Sequence, residues 1–216
     1  MVTLPPDSYL LSQIKRSARI ALAGLAVGSC FFGFLAFMAL RDIQDGSQWL
    51  GLIWILLLLA CLFGMYKTID NSRNLEKHPL IKSLAAFGPV DQIVAKVEAE
   101  IKDPDLQTST FILTKSWILG GMNIAFMPEI VWAHLKTLTQ NFVVKNHSVI
   151  IYKRNGQFFE TQGKENECHA VLEAISKKVP WAIVGYNTDL KKLWNSDKNS
   201  FIQQVDKRKK DAGTSL

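Results

Sequence analysis

The distribution of apolar and polar positions divides this chain sharply. From Ile20 to Leu40, and again from Gly46 to Tyr66, 21 residues pass without a charged side chain. At about 1.5 Å per residue, a run of that length makes a helix of roughly 31 Å, the thickness of a bilayer core. Two transmembrane helices are expected, spanning about 20–40 and 46–66. The first run exceeds the roughly 7–15 apolar residues of a signal peptide. Arg41 and Asp42 follow it, where a small-residue cleavage site would stand. It is expected to be retained.

Beyond Tyr66 the chain turns polar and then amphipathic. After Gly88-Pro89, the residues Val90, Ile93, Val94, Val97 and Ile101 recur at helical spacing, and Pro104 ends the pattern. The period then shortens. "TFILTKSWIL", "NIAFMP", "EIVWAHLKTL" and "SVIIYKRNGQFFET" read as β-prone runs, giving five or six antiparallel strands from about Thr108 to Thr161. Asn155-Gly156 has the composition of a two-residue hairpin turn. "ENECHAVLEAISKKV" returns to helical spacing, with Cys168, Val171, Leu172, Ile175 and Val179 on one face. The fold class is therefore α+β: a two-helix transmembrane hairpin followed by an antiparallel-sheet domain with flanking helices. The expected divisions are 1–77 for the N-terminal segment and hairpin, 78–206 for the domain, and 207–216 for a basic flexible tail.

The stretch "VPWAIVGYNTDLKKLW", Val179 to Trp194, follows the second helix. Pro180 stops that helix, Trp181, Ile183 and Tyr186 offer bulk to bury, Gly185 permits a bend, and a short helix from Asp189 presents Leu190, Leu193 and Trp194. Pro180, Trp181, Gly185, Tyr186 and Trp194 are read as a structural corner sealing one end of the sheet. The alternative is the edge of a ligand site.

Charge sets the orientation. Lys15, Arg16 and Arg19 precede the first span, and Lys67, Arg73, Lys77 and Lys82 follow the second. Between the spans only Arg41 stands against Asp42 and Asp45. Basic residues favour the cytoplasmic side, so both termini are expected inside. Residues 91–196 hold 12 Lys/Arg and 11 Asp/Glu, and the net charge of +6 comes from the membrane flanks and the "DKRKK" tail. With no basic face on the folded part, nucleic acid is excluded as a partner. Cys30 and Cys61 lie within the spans and Cys168 on a helix, so no disulfide framework exists, as suits a reducing compartment.

The search for chemistry returns little. No pair among His78, His134, His147 and His169 has zinc-motif spacing. His169 and Glu173 share a helix face, best read as a solvated pair. Ser116 and Ser148 lack a nucleophile elbow, and Gly120-Gly121 is a turn without the Lys of a phosphate loop. No catalytic residue, metal or cofactor is expected. Trp132, His134 and Lys136 alternate on one face of a strand against Val131, Ala133 and Leu135, a candidate partner surface or a plain outward face. Gly24, Gly28, Ser29 and Gly33 place small residues on successive turns of the first span, where helix backbones approach closely.

The sequence also bears a resemblance. "HPLIKSLAAFG", "SWIL", "EIVWAHLK", the hairpin and "PWAIVGYNTDLKKLW", in that order, resemble an uncharacterised bacterial family of small two-span membrane proteins. The similarity covers roughly residues 78–202, marked best by Pro180, Trp181, Gly185, Tyr186, Leu193 and Trp194. It implies a pleckstrin-homology-like domain on the cytoplasmic side and no activity. The expected function is an integral inner-membrane protein presenting an interaction or sensing domain, with the lipid bilayer and a protein partner or second copy as contacts. An accessory subunit of a transport or channel complex is the alternative.

Overall fold

The computed structural model describes residues 4–5, 7–41, 48–140 and 144–213. The connection between the spans, with Asp42 and Asp45, lies outside the described residues. Two compact units are formed, Met1–Val94 and Ala95–Leu216. The division falls inside a helix, whereas the sequence reading placed it between 77 and 78.

In the first unit, α1 (Tyr9–Arg41) and α2 (Gln48–Arg73) lie against each other. Helix α1 starts well before the expected span, because nothing between Pro6 and Ile20 breaks it. Ser8 accepts a hydrogen bond from the Leu11 amide (3.1 Å), and Leu10 and Ile14 on this early stretch are fully buried. Tyr9–Ala39 and Gly51–Arg73 are long and apolar enough to cross a membrane. Their large side chains point outward: Phe34 is 60% exposed, Leu56 65% and Phe63 60%. A core helix of a water-soluble domain buries such residues instead, since each exposed one forgoes about 1.5–3 kcal/mol. A short 3₁₀ turn leads to α3 (Pro79–Ala85), where Pro79 occupies the first turn and His78 Nδ1 accepts from the Leu80 amide at 3.3 Å. Leu80, Ile81 and Leu84 are its buried face.

Helix α4 (Val90–Ile101) forms where its apolar spacing predicts, and Val94 and Val97 are buried. In the second unit a meander of β1 (Leu106–Gln107), β2 (Phe111–Leu113), β3 (Trp117–Gly120) and β4 (Asn123–Phe126) makes one four-stranded antiparallel sheet. The other sheet has the order β7-β6-β5-β8, with β5 (Ile130–Gln140), β6 (Val144–Lys153), β7 (Phe158–Gly163) and β8 (Ile183–Val184). Six strands fall in the expected interval. The other two, β1 and β8, are two-residue strands outside it, and β8 pairs parallel to β5. Between the sheets the backbone comes close: a Cβ on Gly120 would sit 2.6 Å from Thr161 Oγ1, which donates to the Gly120 carbonyl at 3.1 Å. Helix α5 (Glu165–Lys178) presents Cys168, Val171, Leu172 and Ile175 to the core, as its spacing requires.

Two further expectations change. The β6–β7 connection has a three-residue loop, Arg154 to Gly156, because Lys153 pairs with Gln157 and Gly156 donates back to the Lys153 carbonyl at 2.9 Å. Only the last loop residue must then be left-handed, a role Gly156 fills at φ +83°. Arg154 is anchored there by its amide on the Glu129 carbonyl and its guanidinium on Asp206. The chain end is also more ordered than a flexible tail as far as Asp211, since α7 (Lys198–Asp211) includes residues 207–211. Phe201, Val205 and Lys209 recur every four residues on its buried face, and the Lys209 ammonium lies 4.6 Å from the Trp181 ring centre. A lysine stem is apolar enough to cover an indole while its charge sits over the ring face.

Candidate ligand-binding site

The stretch "VPWAIVGYNTDLKKLW" is organised by its pairing to β5. Val179 caps α5, Ile183 and Val184 add β8 beside Trp132 and Ala133, and the Gly185 amide donates to the Ala133 carbonyl at 2.9 Å. Gly185 then turns at φ +112°, a conformation side chains resist, and its carbonyl accepts from Trp132 Nε1 at 2.8 Å. Asn187 Oδ1 caps α6 (Thr188–Ser196) by accepting from Asp189 N at 2.7 Å. Of the residues read as a structural corner, Trp181 and Trp194 are buried and Pro180 is exposed where α5 has ended. Tyr186 departs from that reading. It is 59% exposed, because the Gly185 turn throws it over the outer face of the sheet.

An aromatic stack supports that face. Trp132 is fully buried, stacked on Tyr152 with ring centres 4.5 Å apart, while Trp194 meets Tyr152 edge-on at 5.0 Å and Phe201 packs on Trp132 at 5.7 Å. Such pairs add about 0.5–1.5 kcal/mol each beyond area burial. Above the stack lies an open cleft of about 560 Å³, within the range of small-molecule sites. His134 and Lys136 from β5, Ile150 and Tyr152 from β6, Phe158 and Glu160 from β7, Tyr186, and Lys191 from α6 form its walls.

His134 is the unusual member. Only 4% of it is exposed, yet it stands among polar groups. Its Nδ1 lies 3.1 Å from the Leu135 carbonyl, which only accepts, so Nδ1 carries the proton and Nε2 presents a bare lone pair. Nε2 has no hydrogen-bond partner among the described residues. Burial pushes the imidazole below the usual histidine range, and Lys191 adds to that push against the Leu135 carbonyl, so the ring is neutral at pH 7. The Tyr186 ring meets it edge-on at 5.1 Å and the Tyr152 ring lies 5.8 Å away.

The charged groups are unevenly matched. Glu160 accepts from Ser148 Oγ (2.7 Å) and Lys136 Nζ (2.9 Å), and these bonds, the serine's above all, hold its carboxyl below the usual range. Lys191 instead donates to the Tyr152 hydroxyl at 2.9 Å and has no carboxylate partner among the described residues. The cleft therefore keeps one uncompensated positive charge.

The members of the candidate surface, Trp132, His134 and Lys136, alternate along β5 and lie at different depths. Trp132 supports the cleft from below; His134 and Lys136 line it. Sequence reasoning missed Tyr152, Phe158, Glu160 and Lys191. The observed register pairs Tyr152 with Phe158 and Ile150 with Glu160, whereas the expected two-residue Asn155-Gly156 turn would have paired Tyr152 with Phe159, so the one-residue difference in the loop hid these walls. In the first span, a Cβ on Gly28 would meet Cys61 Sγ of α2 at 3.4 Å, whereas Gly24 and Gly33 face open space. Ser29 Oγ donates to the Leu25 carbonyl and lies 3.9 Å from Met65 Sδ. The closest approach was not foreseen: a Cβ on Gly64 of α2 would lie 3.2 Å from Leu25. His169 is exposed, and Glu173 is paired with Lys177 at 2.6 Å.

No curated protein and no solved structure matches this chain. Residues 108–194, the stretch from β2 through α6 that supplies every wall of the cleft, are similar to a family described as a domain of unknown function, DUF6709.

Proposed function

We propose that this chain is a two-span protein of the cell inner membrane, with both termini cytoplasmic, whose α+β domain serves in binding or sensing rather than catalysis. The cleft on the outer face of the β7-β6-β5-β8 sheet is its working site. One observation carries this reading: a nearly buried, neutral histidine with an unsatisfied acceptor nitrogen lines an aromatic cleft. A buried polar atom without a partner costs about 1–3 kcal/mol, and a bound donor recovers that cost. The Leu135 carbonyl fixes the ring in the tautomer that leaves Nε2 an acceptor, ready for a ligand's donor. The exposed apolar surfaces of α1 and α2 support insertion in a bilayer, and the placement of basic residues supports the orientation. The resemblance to bacterial membrane proteins with a pleckstrin-homology-like domain is compatible with the two sheets and closing helices.

The test has two arms. Alkaline phosphatase fused after Leu216 is expected to be inactive and a cytoplasmic reporter there active; the reverse overturns the topology. Native purification of the full chain and of its Lys191→Met variant, followed by identification of bound molecules, is expected to recover a component lost from the variant. Identical sets of bound molecules overturn the site.

A further inference from the structure

The cleft has three chemical demands that do not pull in the same direction. His134 Nε2 is an acceptor without a donor, and it belongs to a residue more than nine-tenths buried in the cleft wall. Lys191 is a cation held in place by the Tyr152 hydroxyl at 2.9 Å, with no carboxylate partner among the described residues. Besides Ile150 and the Lys136–Glu160 pair, the walls are ring faces and edges: Tyr152 and Phe158 lie 5.4 Å apart, and Tyr186 meets His134 edge-on. A metal ion fails, because one neutral nitrogen and one carboxylate already held by Lys136 and Ser148, beside a second ammonium group, are no ligand set. A cationic ligand fails for the same electrostatic reason. A neutral apolar ligand leaves both Nε2 and Lys191 as they were.

We propose that the cleft binds a small planar aromatic acid that carries a hydroxyl or N–H group: its carboxylate pairs with Lys191, its ring lies among Tyr152, Phe158 and Tyr186, and its donor hydrogen-bonds His134 Nε2. The inference rests on the reading of this cleft as the binding site. Lys136 is not the anion anchor, because Glu160 already neutralises it at 2.9 Å. The volume of about 560 Å³ suits a one- or two-ring molecule. The Tyr186 ring meets the His134 ring edge-on and is itself 59% exposed, so it is the wall free to rotate and admit the donor. The hinge is Gly185, whose positive φ places Tyr186 there. Charge alone does not define the ligand; each of the three groups removes a different set of competitors, and only an acid with a donor on a planar frame satisfies all of them.

The test uses the full chain in lipid nanodiscs and four probes: 4-hydroxybenzoate, benzoate, 4-hydroxybenzamide and indole-3-carboxylate. Saturation-transfer NMR and calorimetry read the affinity. 4-Hydroxybenzoate and indole-3-carboxylate are expected to bind at least tenfold more tightly than benzoate or the amide. His134→Phe keeps a ring on the aromatic stack and removes the acceptor, and it is expected to erase the advantage of hydroxybenzoate over benzoate. Lys191→Met is expected to weaken 4-hydroxybenzoate and indole-3-carboxylate at least tenfold and leave the amide unchanged. Lys177→Ala on α5, away from the cleft, is expected to change nothing. Equal binding of acid and amide, with either lost on Tyr186→Ala, overturns the acid class while leaving a binding cleft in place. Binding of inorganic phosphate or anionic lipid vesicles with loss on Lys191→Met, and no binding of the aromatic acids, overturns the proposal in favour of a phosphate-type site. No response to any probe overturns it outright, and Lys191-independent native binding then removes the underlying reading as well.

Discussion

Gly120 and Thr161 offer the sharpest mechanical test of how the two sheets are held. A methyl group added at Gly120 would lie 2.6 Å from Thr161 Oγ1 and 3.0 Å from its Cβ and Cγ2. No ordinary Cβ contact is that short, and Thr161 is β-branched, 8% exposed and fixed by its hydrogen bond to the Gly120 carbonyl. Gly120→Ala therefore forces Thr161 out of its rotamer or the strands apart, an overpacking cost of about 1–3 kcal/mol. Thr161→Ala alone loses the hydrogen bond and a packed methyl, about 1–2 kcal/mol. In the double variant the two closest obstructing atoms other than Cβ are gone, so the cost of Gly120→Ala falls. The expected coupling is about 1–2 kcal/mol in the favourable direction. The assay is urea unfolding of a soluble fragment from Gly88 to Gly213, which keeps α4 whole, followed by fluorescence. Its four indoles, Trp117, Trp132, Trp181 and Trp194, are all buried and report the core. Losses that add within about 0.5 kcal/mol would refute the argument that Gly120 is required by this contact.

Other perturbations follow from the same packing. Trp181→Ala, which strips a buried ring from the core and from beneath Lys209, should cost about 3–5 kcal/mol in that fragment; a loss below about 1 kcal/mol contradicts the corner as a structural element. The Arg154–Asp206 pair is one-third exposed, so Arg154→Met should cost at most about 1 kcal/mol. Its hydrogen bonds depress the Asp206 carboxyl, so this contribution is present above the ordinary aspartate range and is lost as pH falls through the depressed value. Unfolding curves of wild type and variant should converge in acid; a difference that widens there contradicts the sign. In membranes, disulfide formation between Leu25→Cys and Gly64→Cys, with Cys30 and Cys61 replaced by Ser, should drop on Gly28→Ile and persist on Gly24→Ile, because only Gly28 faces α2. Equal yields from both variants would contradict the pairing.

Much of this architecture is legible in the residues because it is local. The charge-free runs mark the cores of α1 and α2, although α1 begins at Tyr9, well before its run. The spacing of Val94 and Val97 and the stripe from Cys168 to Val179 each follow from a helical period, with α4 and α5 forming where it lies. Elements decided by tertiary contact are less legible. Strand β8 is two residues long, and its parallel pairing to β5 depends on where α5 returns the chain. Residues 207–211 read as a charged tail because Lys209 counts as polar in any pattern, although its stem is buried against Trp181. Two residues were assigned the wrong depth by type: Tyr186 as bulk to bury, and Trp132 as surface. The cleft was half visible. His134 and Lys136 follow from alternation on β5, but Lys191 reaches the site only through the Gly185 turn and the start of α6, which no periodicity encodes.

The claim that matters most is that this cleft is occupied in the cell by a ligand of the domain. Incorporating 3-fluorotyrosine in the full chain in nanodiscs, with Tyr186 assigned by a Tyr186→Phe control, places a ¹⁹F reporter on the movable wall. Adding the small-molecule fraction from cells that make the protein should shift the Tyr186 resonance, and dialysis of the fraction or Lys191→Met should abolish the shift. A Tyr186 resonance that stays unmoved in the wild-type protein, or that moves equally in Lys191→Met, contradicts the account.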